Sequence, residues 1–127
     1  MINGNLKKFF FLLFLFSTSL KSEPISGYAV TLQVLDKVTS QIENIEVYIG
    51  EYVKFGSLTI KIYLCKKRPP EEVPEDFVLL KIEDDSNPIN SKIVYQGWMI
   101  SSSPSVTPFE HPTYDVWVKD CKINNLM

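Results

Sequence analysis

The sequence predicts an all-β protein: a single antiparallel β-sandwich or small barrel of about six to seven strands, with long Pro-rich loops and one disulfide. Three observations predict it. Beyond position 28 the apolar residues recur every second position rather than at helical spacing. Gly-containing turns and Pro-rich stretches separate these runs at short intervals. Two cysteines, Cys65 and Cys121, follow an N-terminal leader, a setting in which an even cysteine count favours a disulfide.

The first element, residues 1–22, has the form of a secretory signal peptide. Lys7 and Lys8 supply the positive end, Phe9 to Phe16 form an unbroken apolar run, and Ser17, Thr18, Ser19 and Ser22 supply small residues near a cleavage point. The apolar run is far shorter than the ~20 residues that span a bilayer, so stable membrane insertion after signal cleavage is not expected. Residues 23–127 then form one domain, expected in the periplasm.

Within that domain Val30, Leu32 and Val34 alternate with polar neighbours, as do Ile45, Val47 and Ile49. Tyr52 to Phe55 is a short strand between turns at Gly50-Glu51 and Gly56-Ser57. Leu58, Ile60, Ile62 and Leu64 continue the pattern, and Tyr114, Val116 and Val118 close it. Such alternation marks half-buried antiparallel strands. Phe77 to Ile82 and Ile93 to Ile100 are strand-like but apolar on both parities, as in central strands or strands covered on both faces. No stretch carries the period of an amphipathic helix.

Three longer connections remain. Residues 66–76 (KKRPPEEVPED) are basic, then Pro-Pro, then acidic. Pro69 and Pro70 favour an extended, polyproline-like rod that would project its charges beside Cys65. Residues 84–92 make a polar turn, and residues 101–113 hold three Pro and four Ser.

A disulfide across a loop this long is worth about 4 kcal/mol in the loop-entropy picture. Each cysteine ends a predicted strand, and the bond needs Cα atoms within about 7 Å. The two strands should therefore run the same way, side by side or on facing sheets, or else one cysteine lies past its strand end. Cys65 has the parity of Lys61 and Tyr63 rather than of the apolar set, so a bulge or a strand end must turn it inward. A lone pair without CxxC spacing is a poor catalytic redox motif, and two Cys with one His fall short of a structural zinc site.

Three of the thirteen basic residues (Lys7, Lys8 and Lys21) lie in the leader, and none of the fifteen acidic ones does. The remaining chain is therefore distinctly acidic. That excludes a general affinity for nucleic acid, which rests on neutralising phosphates, and gives no attraction to anionic membrane surfaces.

Several blocks together carry a family resemblance: Leu35-Asp36-Lys37-Val38-Thr39; Gly50 with Phe55-Gly56-Ser57-Leu58-Thr59-Ile60; Cys65-Lys66-Lys67-Arg68-Pro69-Pro70-Glu71-Glu72; Gly97-Trp98-Met99-Ile100-Ser101-Ser102-Ser103-Pro104; and Glu110-His111-Pro112, then Tyr114-Asp115-Val116-Trp117-Val118 with Asp120-Cys121-Lys122. In this order they resemble the alphaproteobacterial family called domain of unknown function 2155, over nearly all of the chain beyond the leader. The resemblance implies an exported protein of the Gram-negative envelope. It brings no assigned activity, cofactor or catalytic residue.

Ser102, His111 and Asp115 are the residue types of a nucleophile, base and orienting acid, but no GxSxG elbow accompanies them. Glu110, His111 and Asp115 offer metal-ligand chemistry, yet Pro112 and the flanking loop give no helical ligand spacing. Trp98, Tyr114 and Trp117 are aromatic anchors of the kind that dominate interfaces, or else they cap the core. The expectation is a non-enzymatic accessory module without cofactor. It would meet another cell-envelope protein through Arg68, Pro69, Pro70, Trp98, Glu110, His111, Tyr114 and Trp117. Alternatives are a binder of small ligands or envelope polymers, perched in a barrel mouth, a hydrolase using His111, and an inhibitor of an envelope enzyme.

Overall fold

The computed structural model describes residues 23–87, 89–103 and 109–124. Residues 1–22, where the signal peptide is expected, and the middle of the Ser/Pro-rich loop lie outside them. Eight strands form: β1 (Ile25–Ser26), β2 (Ala29–Asp36), β3 (Gln41–Tyr48), β4 (Tyr52–Phe55), β5 (Leu58–Lys67), β6 (Asp76–Asp84), β7 (Lys92–Ile100) and β8 (Tyr114–Lys122). Seven are the predicted runs. The eighth, β1, has two residues, too few for any periodicity to register.

The strands make two sheets, and every pairing is antiparallel. One is five-stranded in the order β1-β5-β6-β7, with β4 sharing the outer edge of β5 with β1. The other is three-stranded, β3-β2-β8. The two face each other as a sandwich rather than closing into a barrel. Between them lie Leu32, Val34, Val116 and Val118 from one sheet and Leu58, Ile60, Ile62, Val78, Leu80 and Ile82 from the other, all buried. Side chains fill the space that a barrel mouth would need, which removes the structural basis for that version of ligand binding.

The turns follow from their residues. Asp36 Oδ1 accepts hydrogen bonds from Val38 N and Thr39 N and shapes the β2–β3 turn. The β4–β5 hairpin has a two-residue loop led by Gly56, whose φ of +56° suits the first position of such a turn.

Cys65 and Cys121 are bonded, with Cα atoms 5.9 Å apart. They belong to facing sheets. Tyr114 at the start of β8 packs edge-on against Phe55 beside the start of β5, while Lys67 at the end of β5 pairs with Asp120 at the end of β8 at 2.7 Å. So β5 and β8 run the same way, as the bond requires. Both turn their cysteine inward by the same device. The β5–β6 register skips Tyr63, and the β2–β8 register skips Lys119. Each is one extra residue that reverses the alternation. After it, Cys65 and Cys121 join the buried set.

The segment between β5 and β6 departs from the expected projecting rod. Lys66, Lys67 and Asp76 are strand residues that extend the hairpin. Arg68 N donates to Glu75 O, and Glu72 N donates to Pro69 O, so the Pro-Pro step closes into a turn. Pro69 and Glu75 are buried in it. The reason is local: Glu75 accepts hydrogen bonds from Ser101 Oγ, Ser102 N, Ser102 Oγ and Asp76 N, which draws the acidic half against the end of β7.

Candidate interaction surface

β6 is central, but β7 is an edge strand, so the apolar outward parity of both strands has another reason. In register across the outer face of the large sheet lie Leu64, Leu79 and Trp98, and beside them Lys66, Phe77 and Ile100. Their inward neighbours Cys65, Val78 and Met99 are buried, which fixes these six on the opposite face. Trp98 is 43% exposed and Tyr63, the bulge residue, 37%. Tyr95 Oη donates to the Trp98 carbonyl at 2.5 Å and ties down its backbone.

Cations border this apolar row. Lys61 lies 5.4 Å from the Tyr63 ring centroid, and the Arg68 guanidinium 5.5 Å from that of Phe77. Such contacts hold a cation over a ring without cancelling its charge. The next row is Lys61, Lys81 and Gln96, with Tyr52 beside Lys61. Tyr52, Lys54, Thr59, Lys61, Lys81 and Glu83 line a shallow depression of about 300 Å³ there. Lys81 is paired with Glu83 at 2.8 Å, a hydrogen bond that raises its pKa. Asp85 at the rim accepts from Ser91 Oγ and Thr59 Oγ1, which lowers its own. On a chain of formal charge −2, this face concentrates Lys54, Lys61, Lys66, Arg68 and Lys81.

The predicted interaction residues do not form one surface. Arg68 and Trp98 share the outer face just described. Trp117 pairs with Gln33 between the inward-facing Val116 and Val118, which places it on the outer face of the other sheet. Pro70 and Glu110 are exposed. Pro69 and His111 are buried, so neither offers a docking surface. Tyr114 is half-buried against Phe55, directly over Gly56, where an added Cβ would meet its Oη at 2.1 Å.

His111 is a joint. Its Nε2 donates to Asp84 Oδ2 at 2.8 Å, and its Nδ1 accepts from Thr113 N and Tyr114 N. Its ring stacks on Phe109 and on Tyr114. Asp115 instead pairs with Lys37, whose Nζ also donates to the His111 carbonyl. Ser102 goes to Glu75. The three members of the weighed triad thus have three separate partners. With both ring nitrogens engaged, His111 has no lone pair for a metal.

Residues 30–121 match the family described as an uncharacterised protein conserved in bacteria, DUF2155. The chain belongs to this family. The DUF2155 region runs from Val30 in β2 to Cys121 in β8, so it contains both cysteines and both bulge residues, while β1 lies outside it. The chain is also 36% identical over 87 residues to an uncharacterised protein of Rickettsia prowazekii (strain Madrid E). That similarity covers 68% of this chain and 56% of the relative, so the chain spans little more than half the relative's length. No solved structure matches it. The DUF2155 description carries no activity, and the surface chemistry must supply the functional reading.

Proposed function

We propose that the protein is an exported, non-enzymatic accessory module of the periplasm that acts by binding another protein of the cell envelope. The leader-like residues 1–22, the Cys65–Cys121 bond and a relative in Rickettsia prowazekii support the compartment. Among the described residues no helix is long and apolar enough to cross a membrane. One observation carries the binding role: Trp98, exposed in register with Leu79 and Leu64 on the outer face of the large sheet.

The partner this face fits is an acidic protein surface with an apolar anchor. Aromatic and aliphatic side chains supply the desolvated centre of such an interface. Lys61, Lys66 and Arg68 around them supply charge complementarity, which steers encounter and fixes register. The face is a ladder-bonded sheet, so little ordering is needed on binding.

The test is site-specific photo-crosslinking in cells, with the probe at position 98 or at position 117. The expected product is one envelope protein captured at 98 and not at 117. Charge reversal by Arg68→Glu and Lys66→Glu should reduce that product. Equal capture at both positions, or capture unaffected by charge reversal, rejects the proposed surface.

A further inference from the structure

The segment between β1 and β2 lies across the disulfide. β1 pairs with the end of β5, Ile25 opposite Lys67 and Ser26 opposite Lys66. Gly27 N then donates to the Cys65 carbonyl at 3.0 Å, and Tyr28 N to the Lys122 carbonyl at 2.9 Å. Residues 25–28 therefore bridge from one sheet to the other over the bond. The approach is so close that a Cβ on Gly27 would stand 2.3 Å from Cys121 Sγ and 2.6 Å from Cys65 Sγ. Beneath this strap Cys65 is 1% and Cys121 0% exposed.

The strap seals the bond but contributes little to the core. Ile25 and Gly27 are half-exposed and Ser26 and Tyr28 exposed; no residue of 25–28 belongs to the buried cluster, Gly27 touches it only at the two cysteines, and the one further backbone tie is Ile49 N donating to the Tyr28 carbonyl at 3.0 Å. Segments held by a few backbone hydrogen bonds and little apolar contact open locally, well below the free energy of global unfolding. The cysteines beneath remain framed by the β5–β6 and β2–β8 ladders when the strap lifts.

We propose that Cys65–Cys121 is a site of thiol–disulfide exchange with dithiol reductants, gated by the strap. Lifting residues 25–28 exposes Cys121 Sγ, the sulfur nearest Gly27. A thiolate of the dithiol attacks it, forming a mixed disulfide and releasing Cys65 as thiolate. The second thiol of the reductant then displaces Cys121, leaving two protein thiols and an oxidised reductant. The Ala29 carbonyl, 3.6 Å from Cys65 Sγ, is placed to accept from the protonated Cys65 thiol so formed. The protein is the substrate of this exchange, and the gate is independent of what the outer face binds.

The experiment measures reduction of the folded protein by dithiothreitol, with alkylation and mass spectrometry to count free thiols. A wild-type rate that barely rises with low urea, below the unfolding transition, marks local opening. Gly27→Ala, which cannot seat the strap, should accelerate reduction at least tenfold while circular dichroism stays native. A wild-type rate that follows global unfolding across the urea series overturns the proposal, as does an unchanged rate in a folded Gly27→Ala. If Gly27→Ala does not fold, the urea series on the wild type decides alone.

Discussion

His111 joins the loop before β8 to the end of β6 through one hydrogen bond, Nε2 to Asp84 Oδ2 at 2.8 Å. The residues are 27 apart in sequence, and the bond forms where the two sheets meet at the end away from the disulfide. It acts chiefly on Asp84, whose pKa falls from 3.8 to about 2, the His111 hydrogen bond being the main cause.

The sign of the resulting pH dependence follows. A carboxylate with a lowered folded pKa contributes stability that is complete above its unfolded value and is lost as the pH falls through the folded one. Glu75 adds to the same trend: burial pushes its pKa up, but hydrogen bonds from Ser102, Ser101 and Asp76 bring it below the usual value. Asp76, whose pKa burial raises, works in the opposite sense; with Asp84 carrying the largest shift, urea midpoints should drop between about pH 4 and pH 2. Asp84→Asn should be less stable at neutral pH and show a shallower drop. An identical slope in the variant would mean that Asp84 is not the group responsible.

Gly56→Ala should destabilise by about 1–3 kcal/mol, the usual cost of forcing a side chain into a left-handed backbone, and more where the neighbour cannot yield. Its Cβ would meet Tyr114 Oη at 2.1 Å and Cζ at 2.7 Å. Tyr114→Phe removes the nearest of these atoms. The double variant should lose less than the sum of the single ones in equilibrium urea unfolding. Strict additivity would show that strain alone, without the contact, sets the cost.

Deleting Tyr63, or separately Lys119, should leave the disulfide in place. Each deletion removes the unpaired extra residue, so Ile62, Leu64 and Cys65, or Val118, Asp120 and Cys121, alternate in–out–in with the cysteine still on the core face. Mass spectrometry after alkylation should find no free thiol in either deletion protein. Two free thiols in either folded variant would contradict the role assigned to the bulges.

Trp98→Ala should leave stability within about 1 kcal/mol, as for a surface position, and abolish the envelope-protein product captured by a photo-crosslinking probe placed instead at the neighbouring exposed position 63. Trp117→Ala should leave that product intact. Paired urea unfolding and in-cell crosslinking check both. A large stability loss in Trp98→Ala, with binding falling in proportion, would identify Trp98 as core.

Period-two alternation made four strands and the all-β class legible, because each of those strands has one face on the core; flanking turns marked β4, apolar content alone marked β6 and β7, and the choice between sandwich and barrel was not legible. The disulfide was legible from cysteine count and setting, and its shared strand direction from the positions of Cys65 and Cys121. Other features were not, for identifiable reasons. The bulges at Tyr63 and Lys119 leave only a parity mismatch, visible at Cys65 but not assignable to a residue. Gly27 carries no side chain to signal that it crosses two sulfurs. The burial of His111 and Pro69 depends on Asp84 and Glu75, partners that spacing alone does not bring together. Trp98 and Trp117 look equivalent in sequence, yet strand order sends them to opposite faces.

The disulfide and the His111–Asp84 contact stand near opposite ends of β8, about 23 Å apart at strand rise. Together they act as two rivets through a laminate. A single fastening would let one sheet pivot on the other; two suppress both pivoting and sliding. The outer face bearing Trp98 is then a stiff plate, and force applied to it passes through the sandwich instead of being absorbed by shear between its layers.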